Sequence, residues 1–191
     1  RRDGQHRRDV VLVEEPTYFL AFQMFRDHGL EIRGVPIDSD GVIVDALLTE
    51  ASAVRAAGKR VAFAYVIPAF QNPTGVTLSA ARRLELVDGA AEHDVLVVAD
   101  EVYHLLRFAP GEMPPPMSAF VDDGPILSIG TFSKILSPGI RLGWVVAPPP
   151  VLEKINLGKQ AADLCTSTLS QLMVQAYFAE GRWRDYVDSL T

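Results

Sequence analysis

Ile126-Leu127-Ser128-Ile129, followed by Gly130-Thr131-Phe132-Ser133-Lys134, is the stretch that decides the fold class. Its first four residues form a short, mainly apolar run without strict alternation, as expected of a strand covered on both faces. The run then breaks into a glycine, two hydroxyls and a lysine. Five further runs read the same way: Val10–Val13, Glu31–Val35, Val61–Ile67, Val95–Ala99 and Leu142–Ala147. Amphipathic stretches separate them. Val44, Leu47, Leu48, Ala51 and Val54 recur at helical spacing and stop at Gly58. Ser79 is a plausible N-cap for a helix with Leu84, Val87 and Ala91 on one face. Phe19–His28 reads as a helix closed by Gly29, and Leu169, Leu172, Met173 and Ala176 form a last stripe ahead of Gly181. These readings use capping chemistry and the helical repeat. Strands alternating with helices predict crossover units and a largely parallel sheet between helical layers, an α/β fold.

The composition of the 191 residues agrees: 48% hydrophobic and 22% charged is a globular balance. A net charge of −6 lacks the basic footprint of unspecific nucleic-acid binding. No apolar run approaches the roughly 18 residues of a membrane span. No nucleic-acid or membrane partner is therefore expected. A single cysteine, Cys165, excludes an internal disulfide framework and is expected to be a small buried side chain in a reducing, cytoplasmic setting. The four histidines share no spacing suggestive of a metal site. Pro114-Pro115-Pro116 and Pro148-Pro149-Pro150 break any helix or central strand, and the second triplet marks the exit from the sheet.

Ligands of open α/β sheets bind beyond the carboxyl ends of the strands. There this sequence places Glu14-Glu15-Pro16-Thr17-Tyr18, Gln71-Asn72-Pro73-Thr74-Gly75, Asp100-Glu101-Val102-Tyr103 and the Gly130–Lys134 stretch, the last followed by Ser137-Pro138-Gly139-Ile140-Arg141. Four strand ends thus deliver an aromatic ring, an amide, an acid with a phenol, and a lysine with hydroxyls and an arginine. Glu14, Arg33 and Glu101 read as ordinary solvated or ion-paired charges.

Thr131-Phe132-Ser133-Lys134 with Pro138-Gly139 and Arg141, Asn72-Pro73-Thr74-Gly75, and Asp100-Glu101-Val102-Tyr103 resemble, in order and spacing, the motifs of the class I/II aminotransferases, fold-type I enzymes dependent on pyridoxal phosphate. Phe70-Gln71-Asn72 and Gly158–Gln171 are most similar to the branch of 2-aminoadipate and kynurenine aminotransferases. The resemblance implies a three-layer α/β/α domain with one antiparallel strand in a mostly parallel sheet. Residues 1–150 would be the central part of the cofactor-binding large domain, and 151–191 a helical extension toward a small C-terminal domain. It implies Lys134 as the covalent Schiff-base lysine and proton carrier, and Asp100 as partner of the pyridinium nitrogen. Asn72 and Tyr103 would bind the phenolic oxygen. Tyr18 and Val102 would cover the two ring faces, and Thr131, Ser133 and Arg141 would hold the phosphate. The implied reaction moves an amino group from an amino acid to a 2-oxo acid, in a homodimer. An aminotransferase-like sensor domain of a transcription regulator, or a lyase or synthase on the same scaffold, are the alternatives.

The family's enzymes are roughly twice this length. Their upstream phosphate loop is not matched by Gly4-Gln5, which lies too near the first strand, and the arginine that binds the substrate carboxylate lies in the small domain. The chain is therefore expected to be a fragment, inactive alone, with Leu142–Ala147 as an open sheet edge.

Overall fold

The computed structural model describes residues 9–108 and 111–191, so Gly4-Gln5 lie outside the described residues. Seven strands form one sheet: β1 (Val10–Glu15), β2 (Glu31–Asp38), β3 (Gly41–Val42), β4 (Val61–Val66), β5 (Val97–Asp100), β6 (Ile126–Thr131) and β7 (Gly143–Val146), in the order β3-β2-β1-β4-β5-β6-β7. Pairing is parallel from β2 through β6. The two outermost pairs, β2–β3 and β6–β7, are antiparallel. The expected mostly parallel α/β/α architecture is present. The expected antiparallel strand is β7, and β3, a two-residue strand, adds a short antiparallel pair by folding back on β2 through the Asp38–Gly41 turn. Gly41 makes that turn with a φ of +100°, a backbone state that side chains rarely adopt.

Alternate residues of β1 serve the two faces of the sheet. Val10 and Leu12 join the larger core with Val44, Leu47, Ala51 and Val54 of α2 (Val44–Ala56) and Leu86, Val87 and Ala90 of α3 (Ala80–Glu92). Val11 and Val13 join a second core with Tyr65, Ile67 and Ala21 of α1 (Phe19–Asp27). Helices on both faces explain why the strands read as continuous apolar runs. β7 ends the sheet, with Trp144 and Val145 partly exposed along the edge.

Two helical faces differ from expectation. In α3, Ser79 caps the helix by accepting from the Arg82 N–H, as its sequence suggests. Leu84 and Ala91 nevertheless face solvent, and the buried face is Arg83, Leu86, Val87 and Ala90. Arg83 takes a core position because its guanidinium finds three backbone carbonyls: Leu78 at 3.0 Å, Pro115 at 2.9 Å and Pro68 at 2.7 Å. It also lies 3.7 Å from Glu101 Oε1. Glu101 in turn accepts from the N–H groups of Met117 and Ser118 and from Ser128 Oγ. Glu101 is thus ion-paired as expected, though buried rather than solvated.

Helices α4 (Pro149–Ala162), α5 (Thr168–Ala179) and α6 (Trp183–Asp188) complete the chain. On α5 the stripe Leu169, Leu172, Met173 and Ala176 is exposed, and Val174 is the buried residue. Cys165, expected inside, is exposed because it lies on the connection between α4 and α5, outside both cores. α6 returns to the sheet, where Val187 and Trp183 pack with Leu106 and Ile135.

Removing one partner of a buried charge pair strands the other. Arg83→Met should therefore lower stability by about 3–5 kcal/mol, read by urea unfolding. A loss below about 1 kcal/mol, the ordinary cost of a surface change, would show that the pair is not buried as described.

Candidate active site

Parallel pairing sends the carboxyl ends of β1, β4, β5 and β6 to one edge. A cleft of about 460 Å³ opens there, and Tyr18, Asn72, Asp100, Val102, Tyr103, Thr131, Ser133, Lys134 and Arg141 all line it. These are all nine residues singled out in the sequence. Tyr18 follows β1, Asn72 follows β4, and Asp100 is the last residue of β5. Thr131 is the last residue of β6. Ile67, Ile129, Gly130 and Pro138 complete the lining. Gly130 leaves room for a neighbour: a Cβ there would meet the Trp144 indole at 2.2 Å.

At the β5 end of the cleft, Asp100 Oδ2 accepts from the Tyr65 hydroxyl at 2.5 Å. Its other oxygen, Oδ1, is buried with no hydrogen-bond partner among the described residues. Burial raises the Asp100 pKa; the Tyr65 hydroxyl, the Val102 N–H and the Lys134 charge oppose that rise. An orphaned buried carboxylate oxygen is costly, and its natural complement is a cationic N–H. Lys134 Nζ stands 5.9 Å from the centre of the Tyr103 ring.

Two hydroxyls and a guanidinium, from Thr131, Ser133 and Arg141, line the same cleft. Thr131 Oγ1 donates to Ser133 Oγ at 3.0 Å and accepts from the Ser133 N–H at 3.1 Å. Arg141 follows the short 3-10 helix Pro138–Ile140 with a left-handed backbone, φ 52°. Its Nη1 donates to the Pro138 carbonyl at 3.0 Å. The donor set suits a planar group with a cationic N–H at one end and a multiply charged anion at the other.

Sequence reading missed two parts of this edge. Tyr65 sits inside an apolar strand run, where a phenol reads as packing. Glu14 reads in the sequence as a solvated or ion-paired charge. It is instead buried at the end of β1, where its Oε2 accepts from the Ile67 N–H at 3.0 Å and from Gln71 Nε2 at 3.2 Å. Gln71 also donates to the Pro16 carbonyl at 2.7 Å and accepts from the Thr74 hydroxyl at 2.7 Å. The Gln71 amide therefore ties the loop before Tyr18 to the loop that carries Asn72. The polar run Gln71–Thr74 beside Glu14's strand end was the available signal. Arg33 is ion-paired with Glu31 and Glu50, as expected. His104 stands apart from this cleft and lines a smaller cavity with Trp144 and Ser118.

The chain matches the family model for aminotransferase class I and II over residues 5–183, and it belongs to that family. It is 41% identical over 177 residues to aromatic-amino-acid aminotransferase 1 of Thermococcus litoralis, covering 93% of this chain and 42% of that one. It is 34% identical over 186 residues to an uncharacterized HTH-type transcriptional regulator of Bacillus subtilis, YisV, covering 96% of this chain and 37% of that one. Among solved structures, the kynurenine aminotransferase of Pyrococcus horikoshii, in complex with PMP, superposes with a TM-score of 0.88 at 36% identity, over 95% of this chain and 45% of that chain. The chain therefore spans less than half the length of the relatives it matches.

Burial raises the Glu14 pKa to about 7, with the nearby Asp100 charge adding to the rise and the Ile67 and Gln71 donors opposing it. Folded protein then binds more protons than unfolded protein between about pH 4.5 and 7. Glu14's contribution is fully present below that window and is lost as pH rises through it. In urea titrations across pH, the parent should lose up to about 3 kcal/mol relative to Glu14→Gln between those limits. Parallel stability curves for the two proteins would contradict the assignment.

Proposed function

We propose that this chain is the cofactor-carrying part of a pyridoxal-phosphate-dependent aminotransferase that moves the amino group of an amino acid to a 2-oxo acid. The observation that carries the reading is Asp100: a mostly buried carboxyl with a bare oxygen, in the same cleft as Lys134 and the Thr131–Ser133–Arg141 group. When bound, pyridoxal phosphate supplies a cationic aromatic ring that draws electrons from the Cα of an attached amino acid. The chain's own residues prepare that chemistry. Asp100 Oδ1 accepts from the ring nitrogen and holds the proton there. Tyr103 and Asn72 hydrogen-bond the phenolic oxygen. Tyr18 and Val102 close the two faces of the ring and exclude water. Thr131 and Ser133 donate hydroxyls to the phosphate, and Arg141 adds a permanent charge in fork geometry. Lys134 holds the cofactor covalently through Nζ and carries the proton to and from the substrate Cα.

The relatives' functions support this class of reaction, and the branch that includes kynurenine aminotransferase fits the sequence resemblance. We place residues 1–150 in the large domain and 151–191 in the extension beyond it. A cytoplasmic homodimer completes the reading. The exposed Leu164, Leu169, Leu172 and Met173 support an apolar contact surface on α5 and the connection before it. A second reading has one observation behind it, the similarity to the Bacillus subtilis regulator: a sensor module that binds an amino acid through the same cofactor. In the full-length protein, glutamate that converts the bound cofactor's absorbance with turnover supports the enzyme; binding without turnover supports the sensor.

Borohydride reduction in the presence of pyridoxal phosphate, followed by peptide mapping, should place the label on Lys134. Label on Lys59, Lys154 or Lys159 instead would overturn the assignment. In the full-length protein, Asp100→Ala should lower transamination about 10²-fold or more, the scale of losing one electrostatic contact to developing charge. It should leave cofactor retention nearly intact, because the phosphate contacts remain. Equal turnover in the two proteins removes Asp100 from its role.

A further inference from the structure

The phenol of Tyr65 is the one polar side chain of β4, and the reaction proposed above does not use it. It is 4% exposed and packs edge-on against Phe25, with ring centres 5.5 Å apart. β4 and β5 are parallel neighbours, with Tyr65 opposite Val98 and Val66 opposite Ala99, which brings the phenol beside the last residue of β5. Its hydroxyl donates to Asp100 Oδ2 at 2.5 Å, the length of a charge-assisted O–H···O⁻ bond. The bond engages one carboxylate oxygen and leaves the other, Oδ1, without a hydrogen-bond partner among the described residues.

We propose that Tyr65 is a positioning residue for Asp100: by holding Oδ2 it fixes the rotation of the carboxyl and leaves Oδ1 as the oxygen that meets a cationic ring N–H. The inference rests on the reading of Asp100 as the partner of the cofactor's ring nitrogen. The terminal torsion of an aspartate is broad and roughly two-fold, so an unanchored carboxyl exchanges its oxygens freely. One short donor removes that freedom without covering the second oxygen. It also offsets burial, which disfavours the charged form.

The charges around Asp100 come from every neighbouring element. Lys134, from the loop after β6, favours the carboxylate, and Glu101, next in the chain, opposes it. Glu14 on β1 is coupled to Asp100 by like-charge repulsion. Tyr65 itself is kept protonated by burial and by the charges of Asp100 and Glu14, with Tyr18 adding to the effect, so it remains a donor.

The test uses the full 191-residue chain, free of cofactor, with its aspartate carboxyls labelled with carbon-13. Asp100 is assigned by comparison with Asp100→Asn, and its titration is followed by NMR. In Tyr65→Phe, the Asp100 midpoint should move up, because a bond that favours the carboxylate is gone. With 3-fluorotyrosine placed at position 65, a stronger donor of nearly the same shape, the midpoint should move down. Opposite shifts from two near-isosteric changes are not produced by packing alone. Unchanged midpoints in both variants, or shifts in the same direction, would overturn the proposal. Should Tyr65→Phe fail to fold, the fluorotyrosine protein decides alone: a downward shift supports the proposal and an unchanged or upward one overturns it. The same samples are then reduced with borohydride in pyridoxal phosphate. Absence of label on Lys134 in the parent chain counts against the cofactor reading and leaves the Tyr65–Asp100 result standing.

Discussion

Parallel pairing of β1, β4, β5 and β6 is the constraint on which the rest of the structure depends. Parallel strands need long crossovers, and those crossovers bring α1, α2 and α3 onto the faces of the sheet. Both faces are then dry, so the strands themselves carry mostly aliphatic side chains. Polar chemistry is pushed to the strand ends, and the shared direction of the strands collects those ends on one edge. Tyr18, Asn72, Asp100 and Lys134 are far apart in the chain and share one cleft for that reason.

Burial at this edge makes each charge depend on its partners. Arg83 and Glu101 lie in the core and are satisfied by carbonyls, N–H groups, the Ser128 hydroxyl and each other. Among the described residues Glu14 meets two neutral donors and no cation, and so shifts toward its neutral form. Asp100 is the intermediate case. It has one strong donor, one bare oxygen and the Lys134 charge nearby. A buried carboxyl left half-satisfied is unfavourable in the absence of a ligand, whereas a ligand that brings a cationic N–H recovers that energy on binding. The same carboxyl would be a poor device if it were fully paired like Glu101.

Much of this was legible in the sequence because it depends on local order. Strand ends followed by unusual residues are readable one segment at a time, and parallel topology then assembles them. What was not legible depends on contacts between segments. Arg83 occupies a helical position that periodicity would fill with an aliphatic residue. Only the carbonyls of Pro68, Leu78 and Pro115 converging on it make a guanidinium acceptable there. Leu84 and Ala91 share a sequence face with Val87, yet only Val87 is buried. Glu14 and Tyr65 have the same difficulty: a carboxyl at a strand end and a phenol within an apolar strand acquire meaning only from neighbours 53 and 35 residues away along the chain. β3 escaped notice because two residues carry no period.

The backbone at Arg141 shows how the fold holds a functional group in place. A left-handed conformation costs a non-glycine residue roughly 1–2 kcal/mol, so it persists only where the surroundings determine it. Here Ser137 caps the preceding turn by accepting from the Gly139 N–H, and Arg141's own guanidinium donates back to the Pro138 carbonyl. Beyond the turn, the Phe132 N–H donates to the Leu142 carbonyl and the Thr131 hydroxyl reaches the same carbonyl. The turn is thereby tied to the end of β6 on both sides. A glycine at 141 would adopt the same backbone without strain but would remove the cation. Placing arginine at a position that favours glycine accepts a local cost to keep a permanent charge in the cleft that Thr131 and Ser133 also line. That arrangement makes sense physically if an anion is to be held there.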